Sequence, residues 1–128
     1  MRLLLDTHAL LWWWADDPQL SAAARAAIAD GGNEVVVSAA SAWEIATKQR
    51  LGKLSALPGG DQAFAELTRA EGFVLLPIAA EHAWLAGQLP TPHRDPFDRM
   101  LAAQSALEHL PLVTRDPAFA AFHTPTLW

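Results

Sequence analysis

The chain has 128 residues, enough for one domain with a single packed core. Hydrophobic residues make up 52% of it and charged residues 18%, a composition that excludes an intrinsically disordered protein. The net charge of −5 argues against indiscriminate binding to nucleic acid, although it is compatible with a nucleic-acid enzyme whose acids hold metal cations.

Three absences in the sequence bear on location. No apolar stretch reaches the ~18 residues of a membrane-spanning helix. The early apolar run from Ala9 to Ala15 lacks the small-residue cleavage site of a signal peptide. Cysteine is absent, which excludes disulfides and thiolate metal sites. We therefore expect a cytoplasmic protein that does not bind a membrane.

Short apolar runs alternate with longer helical patterns along the chain. The predicted strands are 2–6, 34–39, 73–77 and 111–116, with a short last strand at 124–128. The predicted helices are 9–15, 20–32, 41–54, 61–72, 79–89 and 95–110, with a helical turn at 117–122. Strands that alternate with helices predict βαβ crossovers. The fold class is therefore α/β, a single three-layer α/β/α sandwich over residues 1–128 with a mainly parallel central sheet.

Several helix ends carry local signals. Ser21 is a predicted N-cap, and the pair Gly31–Gly32 predicts the end of the same helix. Gly72 predicts the end of the helix at 61–72. The last long helix opens with Asp95 as N-cap and Pro96 at the first helical position.

Four acidic residues fall where a parallel sheet gathers its ligands. Asp6 ends the first strand, Glu44 follows the second, Asp98 begins the helix before the fourth, and Asp116 ends the fourth. The carboxyl ends of parallel strands meet at one edge, so we expect Asp6, Glu44 and Asp116 to converge there, and Asp98 to join them if the loop before its helix crosses over. Each of the last three also has a local explanation. Glu44 and Ser41 have the spacing of a capping box, Asp98 meets a helix dipole, and Asp116 can cap the next turn.

Asp6 has the weakest local explanation, because it stands inside the apolar run "LLLDTHALLW". A buried carboxylate is normally paired, hydrogen-bonded or bound to metal. Four acids at one edge would repel one another without cations, and Mg²⁺ or Mn²⁺ prefers carboxylate ligands. Two such ions can activate a water and stabilise the leaving oxygen in phosphodiester hydrolysis. The acids therefore point to metal-dependent cleavage of a phosphodiester.

Four ordered stretches resemble the PIN-domain ribonucleases of the VapC type, which are toxins of bacterial and archaeal toxin–antitoxin modules. They are "LLLDTHALLW", "VSAASAWEIATKQRLGKL", "HRDPFDRMLAAQSALEHLPLVTRDPAF" and "TPTLW". The resemblance implies an α/β/α fold and a Mg²⁺- or Mn²⁺-dependent endoribonuclease that leaves 5′-phosphate and 3′-hydroxyl ends. It also implies an RNA substrate, inhibition by a small VapB-like antitoxin, and a homodimer.

The family's acids match this sequence at Asp6, Glu44, Asp98 and Asp116. We expect Asp6, Asp98 and Asp116 to bind the metal, with Glu44 as a further ligand or as the base that orients the water. Asp95 is expected as an N-cap first and as a neighbour of the metal ligands second. Thr7 and Thr114 match polar positions beside the site, where they could equally bond the local backbone.

Basic and aromatic residues near the acids suggest contacts with RNA or protein. Lys48, Arg99 and Arg115 are candidate phosphate-binding residues. A solvated helix face is the alternative, and Arg99 and Arg115 could instead pair with the acids.

Residues 12–14 are three consecutive tryptophans, which point in different directions on a helix, so we expect a dimer or antitoxin surface there. Trp43 and Trp84 are expected in the core or lining a groove. The histidines, including His8 and His93, show no zinc spacing and receive no role.

Two other functional classes remain open. A receiver-like Mg²⁺-binding signalling domain has a similar size, but it usually needs an acidic pair after the first strand and a lysine after the last. A non-catalytic interaction module would use the acids only as helix caps. Stabilisation by Mn²⁺ would separate the enzyme from the interaction module, because a bound ion must stabilise the folded state.

Overall fold

The computed structural model describes residues 1–55, 57 and 63–128. Its strands are β1 (Arg2–Leu5), β2 (Glu34–Ser38), β3 (Val74–Leu76), β4 (Leu112–Val113) and β5 (Thr126–Leu127). Its helices are α1 (Thr7–Trp14), α2 (Ala22–Ala29), α3 (Ala39–Arg50), α4 (Ala63–Ala70), α5 (Ala80–Gln88) and α6 (Pro96–Glu108), with a 3₁₀ helix at Pro117–Phe122. No helix in the described part of the chain is long and apolar enough to cross a bilayer.

The five strands form one sheet in the order β3-β2-β1-β4-β5, and each neighbouring pair is parallel. The parallel sheet and its short last strand are thus confirmed. From β1 the chain builds outward to β2 and β3, then crosses back to β4 on the other side. β1 is therefore the switch point of the sheet, and open α/β sheets bind ligands outside the carboxyl ends of the strands at such a point.

Alternating side chains of the central strand face two separate layers. Leu3 and Leu5 pack in one core cluster with Leu10 of α1 and Ile28 of α2. Leu4 faces the opposite way and packs against α6 and the 3₁₀ helix. Period-two alternation in a sheet covered on both faces produces this division. Helices thus cover both faces of the sheet, which confirms the three-layer fold.

Most helix ends lie close to the predicted positions. The Ser21 hydroxyl accepts the N–H of Ala24 at 3.0 Å and caps α2. Gly72 follows α4 with φ +76°, a conformation that glycine adopts without steric cost. Of the predicted helix at 61–72, residues 61 and 62 lie outside the described residues.

The predicted capping box of α3 is wrong. The helix begins at Ala39, directly after β2, and its N-cap is Ser38, whose hydroxyl accepts the N–H of Ala40 at 2.9 Å. Ser41 is therefore inside the first turn rather than before it. Glu44 has no capping partner there, so its burial needs another explanation.

Candidate active site

Asp6 joins β1 to α1 at the centre of the sheet edge. It is only 6% exposed and accepts the N–H of His8 at 3.2 Å and the hydroxyl of Thr114 at 2.5 Å. Thr114 is adjacent because β4 pairs in parallel with β1. Burial raises the pKa of Asp6, while the bonds from Thr114 and His8 lower it and the nearby Glu44 carboxylate raises it. Asp6 thus caps α1 and also belongs to a group of acids.

Asp98 lies in the first turn of α6, behind its N-cap Asp95, as predicted. The Asp95 carboxylate accepts the N–H groups of residues 97 and 98. The Asp98 side chain is 15% exposed and lies 2.8 Å from His93 Nε2. The pKa of Asp98 is raised to about 6, mainly by burial. The hydrogen bond from His93 lowers this pKa, and the nearby carboxylates of Asp95, Asp6 and Glu44 raise it. Asp98 therefore lies close enough to Asp6 and Glu44 to feel their charge.

Glu44 is buried on α3 and forms an ion pair one turn along the helix. Its Oε2 lies 2.5 Å from Lys48 Nζ. In the turn before it, Ser41 is buried and shares a hydrogen bond of 2.9 Å with the Thr7 hydroxyl. The hydrogen bond of Thr7 therefore joins α1, which follows Asp6, to α3, which carries Glu44. In this way Thr7 helps to position the two acids relative to each other.

Asp116 differs from the other acids because it is exposed. It caps the 3₁₀ helix by accepting the N–H of Ala118 at 2.9 Å. Its own N–H donates to the Thr114 hydroxyl at 3.0 Å. Since the same hydroxyl donates to Asp6, Thr114 links the two acids through one oxygen atom.

The structure thus brings Asp6, Glu44 and Asp98 into one electrostatic group and attaches Asp116 through Thr114. Within the described ranges, no three His, Asp or Glu side chains are placed tightly enough to hold an ion as they stand. The donor set nevertheless suits a hard divalent cation, because the negative charges that raise the pKa of Asp6 and of Asp98 are relieved by positive charge. In this structure Lys48 pairs with Glu44, and His93 pairs with Asp98.

His93 is a site residue that sequence reasoning missed. Besides its contact with Asp98, its ring packs edge-on against Phe122 at a centroid distance of 5.6 Å. It lies five residues before Asp98, across the turn made by Pro96. A histidine placed just before an acidic helix start is the signal that would have found it.

Arg99 does not belong to the predicted phosphate-binding rim or to an ion pair with the acids. Its guanidinium donates to backbone carbonyls at the end of α5 and in the loop that follows. These are the carbonyls of Ala86, Gly87, Leu89, Thr91 and His93, at 2.7–3.4 Å. Its N–H groups are therefore occupied, because the loop between α5 and α6 wraps around it.

Arg115 and Lys48 lie beside the acids as predicted cations, in different environments. Lys48 is paired with Glu44. The Arg115 Cζ lies 4.5 Å from the ring centroid of Trp12 and lines a pocket of about 590 Å³ with Asp6 and Asp116. Arg115 thus carries positive charge at the mouth of the candidate site.

The tryptophans are distributed differently from the prediction. Residues 12–14 are half-buried, and each ring packs against an aromatic partner, so they do not form an exposed surface. Trp43 and Trp84 are not in the core, because they are 52% and 74% exposed; Trp43 packs against Phe97 with ring centroids 4.6 Å apart. α1 lies on one face of the sheet where α2, α4 and the C-terminus surround it, whereas Trp84 projects from the outer side of α5.

The family model described as PIN domain matches residues 3–123. No curated protein sequence matches the chain. FitAcB from Neisseria gonorrhoeae is 23% identical, with a TM-score of 0.61 over 100% of this chain and 97% of that chain.

Two further solved structures are similar. VapBC2 from Rickettsia felis, bound to a DNA fragment from their promoter, is 16% identical with a TM-score of 0.61 over 100% of this chain and 98% of that chain. A toxin–antitoxin complex from Klebsiella pneumoniae is 15% identical with a TM-score of 0.57 over 92% of this chain and 90% of that chain. At these identities the likeness shows a shared fold.

Proposed function

This chain belongs to the PIN domain family, and from that premise we propose that it is a divalent-metal-dependent endoribonuclease, the toxin of a toxin–antitoxin pair. PIN domains are generally nucleases. The observation that carries the proposal is the group formed by Asp6, Glu44 and Asp98 at the switch point of the sheet. Burial and neighbouring carboxylates raise the pKa of Asp6 and of Asp98, and such a group is costly for a fold unless it binds a cation.

In this proposal Asp6, Asp98 and Asp116 hold Mg²⁺ or Mn²⁺, and Glu44 is a further ligand or orients the water. Bound divalent ions supply an activated water and stabilise the leaving oxygen of the phosphodiester. Thr114 orients Asp6 by donating to Oδ2, and His93 orients Asp98 at its Oδ2. Groups that orient metal ligands typically contribute 10- to 100-fold to affinity or activity.

The proposed partners are single-stranded RNA, a small VapB-like antitoxin and a second copy of the chain. The similar structures from Rickettsia felis and Klebsiella pneumoniae contain antitoxins and support that partner. Arg115 and Lys48 supply positive charge beside the acids for the phosphate backbone. Exposed Trp84 and Ile78 are apolar surface available to a protein partner. We propose a cytoplasmic location, where RNA is the accessible substrate.

The capping contacts favour one alternative, a non-catalytic interaction module. Asp6, Asp95 and Asp116 each accept a backbone N–H at the start of a helix. Capping alone, however, leaves Glu44 buried on α3 without a backbone partner in the described residues. In the interaction module Glu44 is only the partner of Lys48, whereas the enzyme gives this buried carboxylate a further role at the metal.

Replacement of Asp6 tests the enzyme directly. Asp6→Asn keeps the size of the side chain and its ability to accept from Thr114, so the fold should remain. Cleavage of a fluorescent single-stranded RNA in Mn²⁺ should fall by at least about 100-fold. Loss of a residue that orients a metal ligand costs 10- to 100-fold, and this variant loses the charge of a ligand itself. Circular dichroism would check the fold, and chelation by EDTA should abolish cleavage by the unmodified protein.

Asp30→Asn is the matched control. Asp30 is exposed and precedes β2, so it lies at the opposite edge of the sheet from the acids. Asparagine can still accept the N–H of Gly32, which Asp30 accepts at 2.8 Å. Cleavage should be unchanged in this variant. Full activity of Asp6→Asn would remove the proposed site.

A further inference from the structure

The pocket beside Asp6 and Asp116 has features that phosphodiester hydrolysis does not use. It measures about 590 Å³, and its other walls include His8, Trp12, Gln19 and Arg115. Ligand sites of this size accommodate a small organic group. We propose that this pocket binds an unpaired nucleobase of the RNA next to the bond that is cleaved. The proposal rests on the proposed ribonuclease function and adds a subsite that selects the base.

The aromatic wall is organised before any ligand enters. Trp12 packs edge-on against Trp128, with ring centroids 5.8 Å apart, and His8 lies 5.7 Å from it on the same helix. The Arg115 guanidinium lies over the same indole ring. Unpaired bases stack on aromatic rings and on guanidinium planes. Because these groups already support one another, a base that stacks here orders few side chains.

The polar wall offers hydrogen bonds to the edge of a base. Gln19 is exposed; its Oε1 accepts from Arg115 at 3.4 Å, and its Nε2 donates to Asp17 at 3.5 Å. Neither ring nitrogen of His8 has a hydrogen-bond partner within the part of the chain that the structure describes. An amide and an imidazole can each donate and accept, as recognition of base edges requires.

The pocket contains charges of both signs. Asp6 and Asp116 line it together with Arg115, whose guanidinium lies over the Trp12 ring. A basic side chain from a protein partner would be attracted by the two carboxylates and repelled by Arg115, whereas a nucleotide carries both an aromatic base and an anionic phosphate. A nucleotide instead places its base against Trp12 and its phosphate toward Arg115 and the cation-binding carboxylates.

Binding measured in EDTA separates this proposal from catalysis, because no divalent ion is present. The probes are hexamers of oligo-adenylate, oligo-cytidylate and oligo-uridylate, each with a 5′ fluorescein, followed through fluorescence anisotropy. We expect at least one hexamer to bind in preference to the others. Arg115→Gln and Trp12→Leu should each weaken it about tenfold or more, the effect of losing one stacked base.

Two substitutions serve as controls. Arg69→Gln removes an exposed cation at the end of α4, close to the opposite edge of the sheet, and Trp84→Leu removes an exposed indole. Neither residue lines the pocket, so both variants should bind as the unmodified protein does. If Trp12→Leu does not fold, Arg115→Gln and His8→Ala, which change exposed side chains, decide the outcome.

Base selection gives a second readout. His8→Ala and Gln19→Ala should change the ratio of kcat/KM between RNAs that differ only in the base beside the cleaved bond, whereas a purely structural role would lower all of them equally. Unchanged binding by Arg115→Gln and Trp12→Leu in an active enzyme would overturn the subsite and leave the nuclease intact. Tighter binding of a tri-arginine peptide than of any hexamer would assign the pocket to a protein partner and also overturn it. Hexamer binding by a protein that cleaves nothing would overturn the nuclease alone.

Discussion

At the scale of single residues, Asp6 and Asp98 show how the site affects stability. Both carboxyl groups are withdrawn from water, and both have a raised pKa, principally because of burial. The folded state therefore binds their protons more tightly than the unfolded state does. The stability that each group contributes is present at low pH and is lost as the pH rises through its folded pKa.

Asp98 gives this effect a measurable window, because its pKa rises from 3.8 to about 6. In EDTA, the stability due to Asp98 should decline from about pH 4 and be lost above pH 6. Asp98→Asn removes the titration and can keep the contact with His93. The stability of the variant relative to the unmodified protein should rise by about 1 kcal/mol between pH 5 and pH 7.5.

Urea unfolding at a series of pH values measures this difference. Asp30→Asn, at an exposed position, should show a constant difference across the range. The free energy of unfolding of each protein is then compared as a function of pH. If the difference between Asp98→Asn and the unmodified protein stays constant between pH 5 and pH 7.5, the Asp98 carboxyl group is not desolvated as described.

At the scale of elements, Arg99 joins two helices and the loop between them. It projects from the second turn of α6 and donates to carbonyls from the last turn of α5 to His93. Its rigid fork of N–H groups satisfies carbonyls that would otherwise lack partners at a helix end. The same contacts bring His93 to Asp98, so one side chain both closes the loop and orients a candidate ligand.

Arg99→Lys should therefore destabilise the protein although the charge is kept. A lysine has one nitrogen and cannot reach carbonyls on both sides of the loop. We expect a loss of about 2–3 kcal/mol in urea unfolding, comparable to one or two hydrogen bonds to a charged group. RNA cleavage should also fall, because His93 loses its support.

Arg69→Lys is the matched control for this substitution. Arg69 is exposed in the last turn of α4, and a change there should alter stability by less than about 0.5 kcal/mol. Equal stabilities of Arg99→Lys and Arg69→Lys would show that the guanidinium contacts do not hold the loop.

At the scale of the whole molecule, the parallel sheet converts distant sequence positions into one site. β1 is central, and the helices that follow β1 and β2 start at its carboxyl edge. α6 reaches the same edge because the loop around Arg99 turns the chain. A cation held by the proposed ligands would contact elements from both ends of the chain, so it should stabilise the fold as a unit.

Mn²⁺ should therefore raise the Tm of the unmodified protein at pH 7.5. An ion at 100 times its Kd stabilises a folded state by about 2.7 kcal/mol, roughly 10 °C for a domain of this size. The double variant Asp6→Asn with Asp98→Asn should show little shift, and Asp30→Asn should respond like the unmodified protein. Absence of any shift in the unmodified protein would favour the interaction module.

Much of this architecture was determined by local sequence signals. The apolar run of β1, the Ser21 and Asp95 caps and the helix end at Gly72 depend on neighbours within a few residues, so the sequence alone predicts them. The shared edge of Asp6, Glu44 and Asp116 also follows from the sequence, because they come at or just after the carboxyl ends of parallel strands; the position of Asp98 depends on the loop before α6.

Only the tertiary structure decided which partner each polar group takes and which rings are covered. Ser38 rather than Ser41 caps α3 because β2 ends one residue before the helix starts. The carbonyls that surround Arg99 and the contact between His93 and Asp98 come from a loop whose path depends on how α5 packs on α6. Trp84 is exposed, whereas Trp12 packs against Trp128. Helical periodicity defines a face of each helix, but the neighbouring elements determine whether that face meets protein or water.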